Sequence, residues 1–226
     1  MPKKVLHRKI PSPVKNPELV EERRNQIFES AWRLFTKQGY HVTGLRDLSK
    51  ETGISLGNLY NYINTKEDIL YIIHQKAAEI VVHAINEETR DARDPVEKLN
   101  EMIDVELRTM DKYQDLILLI YQESHALGRE SLHAMLQREE MHIQRFQKVL
   151  EEGMAQGVFR PSNPKMLANV IKMMIDTWVL KRWALRRKVS LEEMREGIIS
   201  VLEKGILDRE NAERACSRKR QKAAAK

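Results

Sequence analysis

Apolar residues recur three and four positions apart along nearly the whole of this 226-residue chain, and nowhere do they alternate for long. That spacing fills one face of a helix and would scatter over both faces of a strand, so it commits the backbone to helices. Punctuation agrees with the period. There are only nine glycines, and the prolines sit at the edges of periodic segments. The fold expected is therefore all-α, with about nine helices.

A first helix is predicted over 17–38, with Ile27, Ala31, Leu34 and Phe35 on one face and Gly39 as its stop. A second follows Thr43 as cap and ends before Gly53. A third follows Ser55 and covers 56–63. The fourth starts near 65, where Asn64 with Glu67, or Thr65 with Asp68, can form a capping box, and runs to about 88. Asp94-Pro95 with Glu97 opens the fifth. A sixth ends near Gly128, and a seventh covers 130–156 up to Gly157. Asn163-Pro164 opens an eighth that reaches about 187, and Ser190 with Glu193 opens a ninth that ends near 207. These segments group into a three-helix domain, 17–66, and a larger helical domain, 67–208, with no linker between them. Residues 1–16 and 209–226 are expected to be basic tails without fixed structure.

Charge separates along the same lines. Residues 1–66 carry a net +6, residues 67–208 a net −5, and residues 209–226 a net +5. A basic segment on an acidic body is the footprint of a partner that is an anionic polymer, or simply an uneven solvated surface. The single cysteine, Cys216, excludes an internal disulfide and a clustered-cysteine zinc module. The basic, proline-broken N-terminus lacks the apolar core of an export signal. The longest apolar run, 116–121, falls far short of the roughly 20 residues needed to span a bilayer. A soluble, cytoplasmic protein without membrane association is expected.

Residues 24–70 carry the chemistry. They read as a helix, a second helix, a tight turn Glu51-Thr52-Gly53-Ile54-Ser55, and a short third helix. Gly53 suits the left-handed conformation that reverses the chain, Ile54 can plug the core, and Ser55 can cap the third helix. The slim Gly57 lets backbone approach a phosphate. The third helix bears Asn58, Tyr60, Asn61 and Tyr62 and no long charged side chain. Amides can bond base edges, and tyrosine hydroxyls suit phosphates or edges. Lys66 adds a cation at a helix N-terminus. Lys3, Lys4, Arg8 and Lys9 form a basic arm that can track a groove or remain a solubilising tail.

Ala31, Leu34, Phe35, Gly39, Tyr40, Thr43, Gly53, Ile54, Ser55, Gly57, Leu59, Tyr60, Tyr62, Lys66 and Glu67 stand in the register of one known motif. The stretch resembles the DNA-binding domain of the TetR family of transcriptional regulators. It departs at Gly44, where a second hydroxyl is common, at Ile63 in place of Phe, and at Ser49 and Thr52 in place of alanines. The resemblance implies phosphate contacts from Thr43, Tyr60, Tyr62 and Lys66. It places Leu56, Gly57, Asn58 and Asn61 nearest the bases, with Ser55 at the helix start and Arg46 as a further contact. It covers about the first third of the chain.

The resemblance also implies a homodimer that reads a palindromic double-stranded operator, with the eighth and ninth helices forming a four-helix bundle. Val170, Ile175, Val179, Met194, Ile198, Val201 and Leu202 are the candidate interface. A pocket for a small molecule is implied among the middle helices, which are rich in methionine. Candidate ligand contacts are Met102, Met110, Leu119, Glu123, Glu139, His142, Phe146, Met174 and Trp178. Glu123 and Glu139 fall on apolar stripes, so each needs a partner: His125, His133, His142, an arginine, or the effector itself. Basic residues at 181, 182 and 186–188 suit an amphipathic anion, and some TetR relatives that control fatty-acid metabolism bind acyl-coenzyme A.

Two other readings compete. One is a DNA-binding dimer with no effector. The other is a metal-dependent helix-bundle enzyme, suggested by Glu139-x-x-His142, but the second such pair and the additional glutamates that this chemistry requires are not found. No cofactor, catalytic residue or metal ligand is assigned from the sequence.

Overall fold

The computed structural model describes residues 8–92 and 94–207. Ten α-helices and one 3-10 turn make up the described chain. The expected Lys3 and Lys4 and the C-terminal tail lie outside the described residues.

Helix α1, Pro17–Gln38, starts where the Asn16 side chain accepts the N–H groups of Glu18 and Leu19, and it stops where the Gly39 N–H reaches the Phe35 carbonyl. Helix α2, Leu45–Thr52, is capped by Gly44 rather than Thr43, and the Asp47 carboxylate accepts the Gly44 N–H at 2.8 Å. Helix α3, Leu56–Leu59, is a single turn. It was expected to reach 63, but the N–H groups of Asn61 and Tyr62 bond three residues back rather than four, to Asn58 O at 3.1 Å and Leu59 O at 2.9 Å. Ser12 Oγ donates to the Asn61 carbonyl at 2.6 Å and Arg24 Nε to the Tyr62 carbonyl at 3.2 Å.

Helix α4, Lys66–Glu88, begins on the Thr65/Asp68 capping box: Asp68 Oδ2 accepts the Thr65 N–H at 3.1 Å and Thr65 Oγ1 accepts the Asp68 N–H at 3.2 Å. Asp94 starts α5, Pro95–Lys112, by accepting the N–H groups of Val96 and Glu97. Helix α6, Gln114–Glu123, tightens into the 3-10 turn Ser124–Ala126. Helix α7 is Arg129–Ala155. The predicted eighth helix is two pieces, α8, Pro164–Leu180, and α9, Arg182–Leu185, and Arg187 leaves the second with φ +66°. Helix α10, Leu191–Ile206, begins on the expected Ser190/Glu193 box.

Contacts divide the chain differently from the 17–66 and 67–208 split anticipated above. One compact unit joins residues up to 80 with 113–139; the other joins 81–112 with residues from 140 onward. Helix α4 and helix α7 each contribute to both. The first unit has a core of Ile27, Phe28, Ala31, Phe35, Leu48, Leu59, Ile63 and Tyr71 with Leu116 and Leu127. The second packs α5 against α8 and α10, burying Leu99, Met102, Ile103, Ile171, Ile175, Ile198 and Leu202.

Residues 8–16 were expected to be loose and are not. Ile10 is buried in the first unit's core, and its carbonyl takes Arg24 Nη2 at 2.7 Å. Arg8 lies 2.5 Å from Asp68, donates to Ser131 Oγ at 2.8 Å, and stacks over Tyr71. An arginine so engaged inside the unit is not part of a free basic arm.

Candidate functional site: a nucleic-acid interface and a buried polar cluster

The turn between α2 and α3 is built as its residues require. Gly53 takes φ +70°, a left-handed conformation that costs a side-chain-bearing residue steric energy. Ile54 drops into the core behind it. Two of the turn's carbonyls take side-chain donors: Ser49 Oγ donates to Ile54 O at 2.7 Å and Gln26 Nε2 to Thr52 O at 2.8 Å. Ser55 Oγ accepts the Asn58 N–H at 3.3 Å, the N-cap anticipated.

That scaffold sorts α3 and the turn after it into two sides. Leu59, Tyr62 and Ile63 face the core, and Leu56 packs partly against it. Ser55, Gly57, Asn58 and Tyr60 are exposed, Tyr60 by 48 %. Nothing stands where a Cβ on Gly57 would project. Asn61 is half-buried, and its Nδ2 donates to Asn58 Oδ1 at 2.7 Å. The two amides thereby orient each other and leave an acceptor on Asn61 and a donor on Asn58. Arg46 is exposed on α2.

Two expected contacts are corrected. Tyr62 is only 4 % exposed, and its ring belongs to the core, so it is not a phosphate-facing side chain. Thr43 is 2 % exposed; its hydroxyl donates to the Gly39 carbonyl at 2.8 Å and accepts Gln38 Nε2 at 3.1 Å. Thr43 holds the α1–α2 turn rather than presenting an oxygen to a partner. Lys66 folds back as well: its ammonium donates to the His41 carbonyl at 3.2 Å and lies 4.2 Å from the Tyr40 ring centroid. Burial pushes its pKa down, and the Glu123 charge opposes that.

The candidate ligand residues are divided between the two units. Leu119, Glu123 and Glu139 belong to the first unit, and Met102, Met110, His142, Phe146, Met174 and Trp178 to the second. Glu123 Oε2 lies 3.0 Å from His41 Nε2, a partner that none of the expected histidines or arginines anticipated. Glu139 is half-buried, and Leu119 is a core residue. Trp178 is buried, with its indole N–H donating to Asp111 at 2.9 Å.

In the second unit His142 Nε2 meets Glu106 Oε2 at 3.0 Å, and Lys172 bridges Glu106, 3.4 Å away, and Asp176. All four side chains are buried. Burial alone would raise the Glu106 carboxyl, but the charges and hydrogen bonds of His142 and Lys172 outweigh it and hold it at about 2. Phe146 stands edge-on to His142 at 5.8 Å. Glu106 was not singled out from the sequence, yet the signal is there. It falls between Met102 and Met110 on an apolar stripe, as Lys172 falls between Ala168 and Ile175.

The candidate interface residues also divide. Val170 and Val201 are exposed and Met194 is half-exposed, whereas Ile175, Val179, Ile198 and Leu202 are buried within the chain's own second unit, where α5 meets α8 and α10. Those four are therefore core rather than surface. Exposed Met166 and Met173 join Val170 instead, along an open groove of about 680 Å³ on α8 that also includes Asn163, Lys165, Asn169, Met174 and Thr177.

Residues 27–71 match the model of bacterial regulatory proteins of the tetR family, and residues 92–184 match that of the tetracyclin repressor-like C-terminal domain. The HTH-type transcriptional regulator HbdR of Aromatoleum sp. (strain CIB) is 30 % identical over 195 residues, which span 86 % of this chain and 85 % of the relative. Among solved structures, a transcriptional regulator from Saccharomonospora viridis in complex with choline superposes with a TM-score of 0.72 at 24 % identity, covering 83 % of this chain and 99 % of that one. AibR, in complex with isovaleryl coenzyme A and operator DNA, gives 0.67 at 20 % identity, with 79 % and 97 % covered. At those identities the two structures bear on the fold.

Proposed function

Because the chain belongs to the TetR family and is a ligand-responsive DNA-binding transcriptional regulator, we propose that it represses from a palindromic operator, which it reads through Asn58, Tyr60 and Asn61. One observation carries the assignment of those residues: the fold drives Leu59, Tyr62 and Ile63 inward and leaves the paired amides and Tyr60 on the surface of the α2-turn-α3 motif. An exposed donor and acceptor held in mutual register match a base edge in the major groove. Arg46 and Ser55 flank them, and Lys66 can swing from its carbonyl to a phosphate.

The protein acts as a cytoplasmic homodimer, joined through the α8 groove and Val201. Its effector is a small amphipathic or apolar molecule bound in the second unit. The buried methionines 102 and 110 supply adaptable apolar lining there, and the Glu106–His142–Lys172–Asp176 cluster a fixed polar anchor. An acyl-coenzyme A suits that combination with the cations at 181, 182 and 186–188, and AibR, of the same fold, was solved with one. Helix α4 carries the response, since it begins beside the recognition turn and ends in the second unit. The effector releases the operator to the extent that it binds the two states differently.

The test is selection of a duplex from a random pool by the full-length protein, followed by affinity measurements with Asn58→Ala and Tyr60→Ala. Loss of a base or phosphate contact should weaken binding by about 1–3 kcal/mol, roughly fivefold to a hundredfold. If both variants select the parent's sequence with undiminished affinity, the recognition assignment is wrong.

A further inference from the structure

We propose that His41, Glu123 and His125 form a binding site for a divalent transition-metal ion of the zinc or cobalt kind. It ties the turn before α2 to the 3-10 turn after α6. One nitrogen from each histidine and one carboxylate oxygen lie within 4.8 Å of one another. All three residues belong to the first compact unit. Two imidazoles and one carboxylate are a donor set that such ions favour, and three protein ligands leave a fourth position for water.

An ordinary ion pair between His41 and Glu123 is the competing explanation. Glu123 Oε2 is shut off from solvent and faces His41 Nε2 at 3.0 Å without the alignment of a hydrogen bond. That spacing serves an ion pair and equally two ligands of one ion; the third donor, His125, is what favours the ion. Ligands 2.0–2.1 Å from a tetrahedral zinc are about 3.3 Å apart, so this pair needs almost no adjustment. His125 is exposed, as is His41, so both rings have room to turn toward an ion.

Charge sets the strength. One carboxylate offsets only half the ion's charge, and the Lys66 ammonium, bonded to the His41 carbonyl, adds repulsion. The site is accordingly of moderate affinity, suited to sensing an ion rather than storing it. An ion there would fix the entry to the helix-turn-helix against α6, so occupancy would bear on the DNA-reading surface. The site itself does not depend on the DNA-binding assignment.

The experiment uses the full chain carrying Cys216→Ser, which removes the one thiol. Cobalt(II) is titrated in and followed by its visible absorption, and zinc is then added in competition. One cobalt per chain is expected, displaced by zinc. His41→Ala and His125→Ala should each weaken binding by about tenfold or more, since even an outer-shell partner is worth that much. Both histidines are exposed, so the variants should keep the parent's circular dichroism. Titrations of the two variants that superimpose on the parent's would overturn the proposal, as would a parent that shows no saturable binding of either ion. Neither result would touch the assignment of Asn58 and Tyr60.

Discussion

At position 74 an imidazole sits on α4 with 9 % of its surface exposed, and burial together with the Arg138 charge pushes its pKa from 6.5 down to about 4. Between those values the unfolded chain binds a proton that the folded chain refuses, so stability falls as the pH drops through that window and is whole above it. The full shift corresponds to about 3 kcal/mol, of which about 2 is lost by pH 5. Glu106 acts in the same sense, in a lower window. Its depressed carboxyl stabilises the fold above its ordinary range and fails only as the pH falls towards 2. Urea unfolding at pH 7 and pH 5 should therefore show a pH-dependent loss in the parent that is mostly absent from His74→Phe. Equal losses in the two proteins would refute the account. His74 also shows why single residues were the hardest part of the sequence to read. Its burial, like that of Thr43 and Tyr62, depends on which neighbours the fold brings up, and residue type alone favours the surface for a threonine and leaves a tyrosine undecided. The exposure of Asn58 and Tyr60 could be read because they share a turn with Leu59, which had to go inward.

Helix α7 ends where Gly157 takes φ +71° and where the Gly153 carbonyl accepts the N–H groups of Val158 and Phe159. The stop near 157 was legible from that glycine. The function of Gly153 was not: a Cβ there would lie 2.0 Å from Cδ2 of the buried Phe159 ring. In an exposed helix Gly→Ala gains about 1 kcal/mol, whereas forcing a methyl group into packed space costs typically 1–3 kcal/mol. A ring held at 3 % exposure has little room to retreat, so the clash should win. Gly153→Ala should lower the unfolding free energy by about 1–2 kcal/mol in urea titration. A variant at least as stable as the parent would show that Phe159 can move. The same contrast between local and distant causes runs through the other elements. Asn16, Thr65, Asp94, Asn163 and Ser190 mark helix starts because a cap acts within three residues. The carbonyls after α3 are held by Ser12 and Arg24, 49 and 38 positions away, and no window of local sequence contains those bonds. For the break between α8 and α9 no residue at 180–182 supplies a cause; only the left-handed Arg187 marks the region.

For the whole molecule the open question was which of two apolar faces on α8 and α10 turns inward, and periodicity cannot settle that when both faces are apolar. Helix α5 covers the face that bears Ile175, Val179, Ile198 and Leu202, and it leaves Met166, Val170 and Met173 on α8 and Val201 on α10 in the open. Three large apolar side chains exposed in a row on one helix are a liability in a monomer and an interface in a dimer. The occupant proposed above is a second copy, since one α3 turn would offer few base contacts and two-fold pairing would join two half-sites on one duplex. Replacing Val170 and Met173 together by Glu puts charge on surface positions and leaves the core residues of α8 untouched, so each chain should still fold. The expected result is a particle of half the parent's mass by light scattering, with unchanged helical circular dichroism. Its affinity for the selected duplex should fall by about a hundredfold or more, since the second half-site would no longer be held near the first. If the double variant keeps the parent's mass, the α8 groove is not where two copies meet. If it becomes monomeric yet binds the duplex as tightly as before, reading by a pair of α3 turns is wrong even though the interface is right.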